Sequence, residues 1–214
     1  MRLIVTLFSL MLSLNAWSDN PEVVIKTSQG TIVIELFPDK APKTVENFLN
    51  YVRNDFYKGT IFHRVVDRFV IQGGGYTPDL KPKDTLPPIT SEATNGLKND
   101  AGMVAMARSA ETDSATSQFF INVQRNLFLN HHRPHPDYYG YAVFAKVVQG
   151  MDVVEKIAAL KTTTAGPFFT DVPVQNVTIN DVTLVVPQVA AEPTPTKSKS
   201  KPKNKNNSKK SKKR

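Results

Sequence analysis

The chain has no cysteine. That removes disulfide frameworks, thiolate metal sites and cysteine nucleophiles together. It does not remove an oxidising compartment, because a core of adequate size needs no cross-links. Tryptophan occurs once, at Trp17. There is no G-x-S-x-G elbow and no P-loop, so two widespread catalytic templates fail. No apolar run reaches the ~20 residues that a membrane-spanning helix needs. Histidine is scarce, and His131, His132 and His135 crowd into Asn130–Tyr139 beside Pro134 and Pro136. That stretch reads as a solvated loop, whereas zinc wants three or four ligands on rigid elements. Asp55, Asp67 and Asp113 have no assignable partner, so paired-carboxylate catalysis has no support. Neither a metal nor a cofactor is expected.

Acidic residues are missing from Lys197–Arg214, which carries ten Lys or Arg and no apolar residue beyond Pro202. Nothing there offsets the entropy of ordering, so 197–214 reads as a disordered lysine-rich tail. It serves as a solvated solubility aid, or it tethers the protein to an anionic surface or polymer. Lacking aromatics for stacking, it is poorly suited to sequence-specific nucleic-acid binding. Pro187–Thr196, rich in Pro, Ala and Thr, reads as a linker. From Asp19 to Glu192 there are 16 basic and 19 acidic residues, a net −3, so the formal +8 of the whole chain belongs to its tail. A basic groove within the domain is not expected.

At the other end, Arg2, the apolar run Leu3–Leu14 and the small residues of Ala16-Trp17-Ser18 read as a cleavable signal peptide spanning 1–18. The mature chain would begin at Asp19 and contain no tryptophan. Such a leader implies export, with the periplasm as the expected location.

What remains, 19–186, has the punctuation of short strands. In Val23–Phe37, Ile32, Ile34 and Leu36 alternate with Val33, Glu35 and Phe37 around a Ser28-Gln29-Gly30 turn, a hairpin pattern. Val45, Phe48, Leu49 and Val52 form one helical stripe, with Pro42 at its start. Thr60–Phe62, Phe69–Gln72, Gly102–Ala107, Gln118–Val123, Tyr141–Val148 and Val174–Val186 read as strands. Residues 76–100 read as a functional surface loop or lid rather than core. Asp152–Leu160 reads as a second helix, with Asp152 and Glu155 spaced as a capping box. Many short strands with two separated helices predict a mainly β antiparallel barrel or sandwich.

One segment carries unusual chemistry. Phe62–Gly74 sets Arg64, Phe69 and Gln72 at spacings of five and three, which strands broken by a turn can bring to one concave face. Taken singly, each aromatic reads as core and Arg64 as half of a structural ion pair.

In these stretches the chain resembles the cyclophilins. The resemblance lies in FHRVVDRFVIQGG at 62–74, MVAMARSAETDSATSQFFINV at 103–123, NLFLN at 126–130 and GYAVFAKVVQGMDVVEKI at 140–157. It runs from about Pro21 to Val186. GGGYTP, EATNGL and GYAVFAKVV are most similar to the periplasmic bacterial members. The resemblance implies an eight-stranded antiparallel barrel capped by two helices, with a substrate groove on its outer face. It implies peptidyl-prolyl cis–trans isomerase activity without any cofactor, on unfolded or partly folded proline-containing polypeptides; a monomer is expected. Arg64 matches the family's catalytic arginine. Phe69 and Gln72 match its pocket phenylalanine and carbonyl-binding glutamine. Val70 stands where many members have methionine. Ala107 and Arg108 match the strand whose backbone bonds substrate, Arg108 replacing the asparagine of eukaryotic members. Gln118 and Phe120 match the groove glutamine and the floor of the proline pocket. Leu129 matches directly. Phe128 replaces a tryptophan, which implies weak cyclosporin binding, and Tyr141 replaces a histidine. Two other readings stay open. The groove would also suit a module that docks one partner's proline-bearing loop, and the lysine tail would also suit an adhesion protein with the barrel as cargo.

Overall fold

The computed structural model describes residues 20–185. The expected leader, linker and tail lie outside the described residues. Eight strands form one sheet: β1 (Glu22–Thr27), β2 (Gly30–Leu36), β3 (Phe62–Val66), β4 (Val70–Gly73), β5 (Met103–Met106), β6 (Phe119–Asn122), β7 (Val143–Gln149) and β10 (Ile179–Val185). Between β7 and β10 lie β8 (Thr162–Ala165) and β9 (Phe168–Pro173), a separate two-stranded hairpin. Within the large sheet the order is β10-β1-β2-β7-β5-β6-β4-β3, and every pairing is antiparallel. The sheet curls until its two edges touch. Ile61 bridges Thr178, Phe62 N–H donates to Val177 O at 2.9 Å, and Ile179 N–H donates to Thr60 O at 2.7 Å.

Alternation explains which residues enter the interior. Val23 and Ile25 on β1, Ile32, Ile34 and Leu36 on β2, Ile71 on β4, Phe119 and Ile121 on β6 and Phe144 on β7 are buried in one cluster. Helix α1 (Pro42–Arg53) adds Val45, Phe48, Leu49 and Val52, and α2 (Met151–Ala158) adds Val154, Ile157 and Ala158. Phe48 is fully buried, with Tyr57, Phe119 and Phe144 rings 5.2, 5.7 and 5.1 Å away.

Helix α1 has no local cap, since Ala41 offers no side-chain acceptor. Glu92 serves instead. Its carboxylate accepts from Lys43 N–H at 3.1 Å, Thr44 N–H at 2.8 Å and the Thr44 hydroxyl at 2.7 Å. An anion there also suits the helix dipole. The long 76–100 stretch is therefore an anchored loop rather than a lid. Ala93 and Asn99 are buried, Ile89 bridges Ala115, and Leu86 N–H donates to the Tyr51 hydroxyl.

Several expected elements shift. The strand expected at Thr60–Phe62 is β3, starting at Phe62, because Thr60 and Ile61 are spent on closing the sheet. Between the strands expected at Thr60–Phe62 and Phe69–Gln72, Arg64 lies within β3, and Asp67–Phe69 form the turn. The capping box at Asp152 and Glu155 does not form. Helix α2 starts one residue earlier, after Gly150, whose left-handed φ of +86° and close approach to the Thr31 carbonyl make the corner, with no side-chain cap. The single long strand or strand pair expected over Val174–Val186 is β10 alone, starting at Ile179.

Candidate active site

The outer face of the same strands carries a second apolar cluster. Val70, Ala105, Phe120, Leu129 and Val143 are buried there, with Phe69, Leu97, Met103, Ala107 and Tyr141 packed against them. Residues flanking interior positions by one must emerge on this face. Ile71 points inward, so Val70 and Gln72 point outward, and Phe120 lies between inward Phe119 and Ile121. A bulge does the same for Arg64. Phe62 pairs with Gly73 and Arg64 with Gln72, so His63 is the extra residue on β3. Bulges re-aim side chains in this way.

Arg64, Phe69, Val70, Gln72, Ala107, Arg108, Phe120, Leu129 and Tyr141 line one open cavity of about 80 Å³. The Phe120 ring stands edge-on to Tyr141 at 5.4 Å. Phe128 lies outside this cavity. It is 67% exposed, stacks on Phe69 at 5.5 Å and lines an adjoining hollow with Arg108 and Tyr141. Gln118 lines a further hollow with Gln72, and Gln72 Nε2 donates to Gln118 Oε1 at 3.0 Å.

Arg64 is about two-fifths exposed, with its guanidinium carbon 5.7 Å from the Phe69 ring centre and its Nε 3.5 Å from Asp171 Oδ2. Asp171 belongs to β9. Arg108 differs sharply from Arg64, because its donors are consumed by backbone carbonyls. Nε reaches Gly140 O at 2.9 Å, Nη1 reaches Ser109 O and Ala110 O, and Nη2 reaches Pro136 O at 2.8 Å. It also lies 5.0 Å over the Tyr141 ring. It therefore clamps two loops together behind the cavity. Residues 107 and 108 follow the end of β5, beyond the residues its ladders pair.

Behind the cavity run four buried asparagines that sequence reasoning missed. Asn126 donates to Phe69 O at 3.1 Å and to Asn122 Oδ1 at 2.8 Å. Asn122 donates to Asn99 Oδ1 at 3.1 Å, and Asn99 donates to Leu129 O at 3.1 Å. The chain of bonds joins the backbones of two cavity-lining residues, Phe69 and Leu129. Asparagines at 99, 122, 126 and 130 were visible, but such residues usually read as turn formers.

His63 is buried between Tyr76 at 4.6 Å and Phe168 at 5.2 Å, and its Nδ1 has no partner among the described residues. Burial, helped by the adjacent Arg64 charge, lowers its pKa to about 4, so it is neutral at physiological pH. The three loop histidines diverge. His131 Nδ1 meets Tyr139 O, His132 Nε2 meets Leu127 O, and His135 Nδ1 accepts from Asp137 N–H. Among the described residues no group of three His, Asp or Glu side chains is arranged to hold a metal ion.

The family model for cyclophilin-type peptidyl-prolyl cis–trans isomerases matches residues 22–184. The chain is a cyclophilin. It is 55% identical over 163 residues to the peptidyl-prolyl cis–trans isomerase cyp18 of Streptomyces antibioticus, an alignment covering 76% of this chain and 98% of that one. With peptidyl-prolyl cis–trans isomerase B of Escherichia coli it shares 53% identity over 162 residues, covering 76% and 98%. Among solved structures it resembles a cyclophilin of Cryptosporidium parvum crystallised in the presence of the dipeptide Ala-Pro. The TM-score there is 0.65 at 27% identity, covering 77% of this chain and 99% of that one. Family, mainly β fold and isomerase activity thus agree with the resemblance read in 62–74 and 103–123. This cyclophilin curls its sheet around an apolar interior to which α1 and α2 add their buried stripes, and keeps the Arg64 cavity on the outside.

Proposed function

We propose that this cyclophilin isomerises X–Pro bonds of exported, incompletely folded polypeptides in the Arg64 cavity, by non-covalent catalysis centred on Arg64. The observation that carries the reading is one partly exposed guanidinium on a cavity walled by Phe69, Val70, Phe120 and Leu129. Amide resonance sets a barrier of ~18–20 kcal/mol to rotation. No bond need break, so the catalyst has only to favour the twisted amide over both planar forms. Twisting makes the proline nitrogen pyramidal and gives it a lone pair. Arg64 donates a hydrogen bond to that lone pair, which the planar amide cannot accept. Phe69, Val70, Phe120 and Leu129 hold the ring. Gln72, steadied by Gln118, and the backbone at Ala107 and Arg108, where Ala107 N–H is already bonded to Gln118 O at 3.0 Å, hold the flanking peptide groups. Phe128 and Tyr141 extend the wall. One side of the bond is fixed while the other turns.

Turnover at ~10³ per second needs the barrier to fall by about 6 kcal/mol. A charge-assisted hydrogen bond gives ~1.5–3 of that. Desolvation of the amide and a preset twist supply the rest. A protease-coupled assay on Ala-Ala-Pro-Phe compares wild type with Arg64→Ala. The variant is expected to lose activity about 10- to 150-fold while melting normally. Full activity in a folded variant would sink the assignment. The Ala-Pro dipeptide named with the C. parvum structure supports a proline-containing ligand for the same groove.

The ends of the chain complete the proposal. Residues 1–18 direct export to the periplasm, and 197–214 attract an anionic polymer or surface. N-terminal sequencing of the cell-derived protein should start at Asp19, and deleting 197–214 should abolish retention on an anionic matrix. A start at Met1, or unchanged retention, would remove the respective claim. Cyclosporin should bind weakly, because Phe128 supplies no indole N–H.

A further inference from the structure

Arg64 is held by something that neither β3 nor the groove provides. Its carboxylate partner, Asp171, comes from the β8–β9 hairpin, which belongs to a different sheet. Among the described residues Asp171 is the sole carboxylate within ion-pair range of Arg64. The contact at 3.5 Å is an ion pair, not a tight hydrogen bond.

The hairpin is built to deliver that carboxylate. Phe168 of β9 packs its ring against His63 and, edge-on at 5.0 Å, against Tyr76, so three rings fasten β9 beside the bulge that aims Arg64. Gly166 at its tip lies against Leu80, and Asn176 just beyond it donates to Pro78 O at 3.0 Å. Asp171 itself holds a left-handed φ of +70°, a conformation rare for residues other than glycine, asparagine and aspartate. Strain of that kind in a strand asks what the side chain is for.

We infer that Asp171 is a positioning residue for Arg64, reached through the β8–β9 hairpin; the inference rests on the catalytic reading of Arg64 given above. A long arginine stem has many rotamers, and a hydrogen bond that forms only in the twisted state needs the donor in place beforehand. The Phe69 ring steadies the guanidinium carbon from one side. The Asp171 carboxylate takes the Nε edge, leaving the two terminal nitrogens of the fork for the substrate.

The test compares wild type, Asp171→Asn, Arg64→Ala and the double variant on the same peptide. Asparagine accepts the left-handed backbone as readily as aspartate, so the hairpin should stay folded. Asp171→Gly, which meets that backbone without strain, is the second carboxylate-free variant and should behave alike. Each is expected to lower kcat about three- to fivefold, the size a partly exposed ion pair can supply, and to leave KM unchanged. The Arg64 Nε–H resonance should move in the NMR spectrum. In the Arg64→Ala background, Asp171→Asn should add no further loss. An equal loss in both backgrounds, or an unchanged kcat with an unmoved resonance, overturns the inference. Full activity of Arg64→Ala would instead overturn the reading beneath it, a result separable from either.

Discussion

Strands β4, β5, β6 and β7 each serve two apolar clusters, and the two are closed in different ways. On the inner side, Ile71, Val104, Phe119, Ile121 and Phe144 meet α1 and α2, and side chains fill the space. On the outer side, Val70, Ala105, Phe120 and Val143 meet loops, and a cavity stays open. Residue types on the two sides are nearly the same. What differs is the cover. Helices bring apolar stripes, whereas the loops bring polar fastenings: Arg108 to four carbonyls, and Asn99, Asn122 and Asn126 in series. Apolar packing alone does not tell a core from a substrate groove. Loops held rigid by hydrogen bonds, with a partly exposed guanidinium at the rim, do.

Phe48→Ala puts the largest strain on this contrast. It empties the centre of the inner cluster and should lower unfolding free energy by about 3–5 kcal/mol. Denaturant titration reads that loss. Activity per folded molecule should stay near wild type, because Phe48's ring neighbours Tyr57, Phe119 and Phe144 do not line the cavity. A drop in activity with stability intact would erase the distinction between the clusters.

His63 sits where the clusters and the β8–β9 hairpin meet, and it should make stability depend on pH. In the unfolded chain it takes up a proton near its ordinary pKa of 6.5, in the folded chain only near 4. Between those values the unfolded state binds the extra proton. The contribution is therefore whole above pH 6.5 and is lost as pH falls toward 4, by about 3 kcal/mol at most. Melting curves from pH 7.5 to 4 should show the fall, and His63→Phe should flatten it. A flat wild-type profile would mean that His63 opens to solvent. Arg64→Ala sits at the small end on stability and at the large end on rate, which is the contrast in its sharpest form.

Legibility in the sequence followed burial. The β1–β2 hairpin was plain because Ile32, Ile34 and Leu36 alternate against a half-buried face, and α1 because its stripe recurs at helical spacing. The groove residues were legible through their resemblance to a known family, not through pattern, since nothing periodic links 64, 108 and 141. The β8–β9 hairpin escaped because most of it is exposed. Thr162–Thr164 and Phe169–Thr170 are themselves exposed, so no apolar alternation marks them, and its role depends on reaching Arg64 across the fold. The Glu92 cap of α1 was invisible for the same reason: a loop far along the chain supplies what Ala41 lacks. The misplaced capping box at Asp152 shows the reverse error, a correct local motif overruled by tertiary packing at Gly150.

The first strand of the sheet pairs with the last, Glu22 opposite Val185. A chain emerging from the ribosome therefore exposes β1 with one edge unpaired until nearly all of the domain has been made. Folding dominated by such distant pairings is slow and leaves strand edges open to other chains meanwhile. This isomerase has a topology that makes its own assembly a late, nearly all-or-none event. It also brings the start and end of the domain side by side on β1 and β10, and β10 begins where the sheet closes against β3, the strand of Arg64. The strand that bears Arg64 thus gains its neighbour across the closure only when the last strand of the domain has been made.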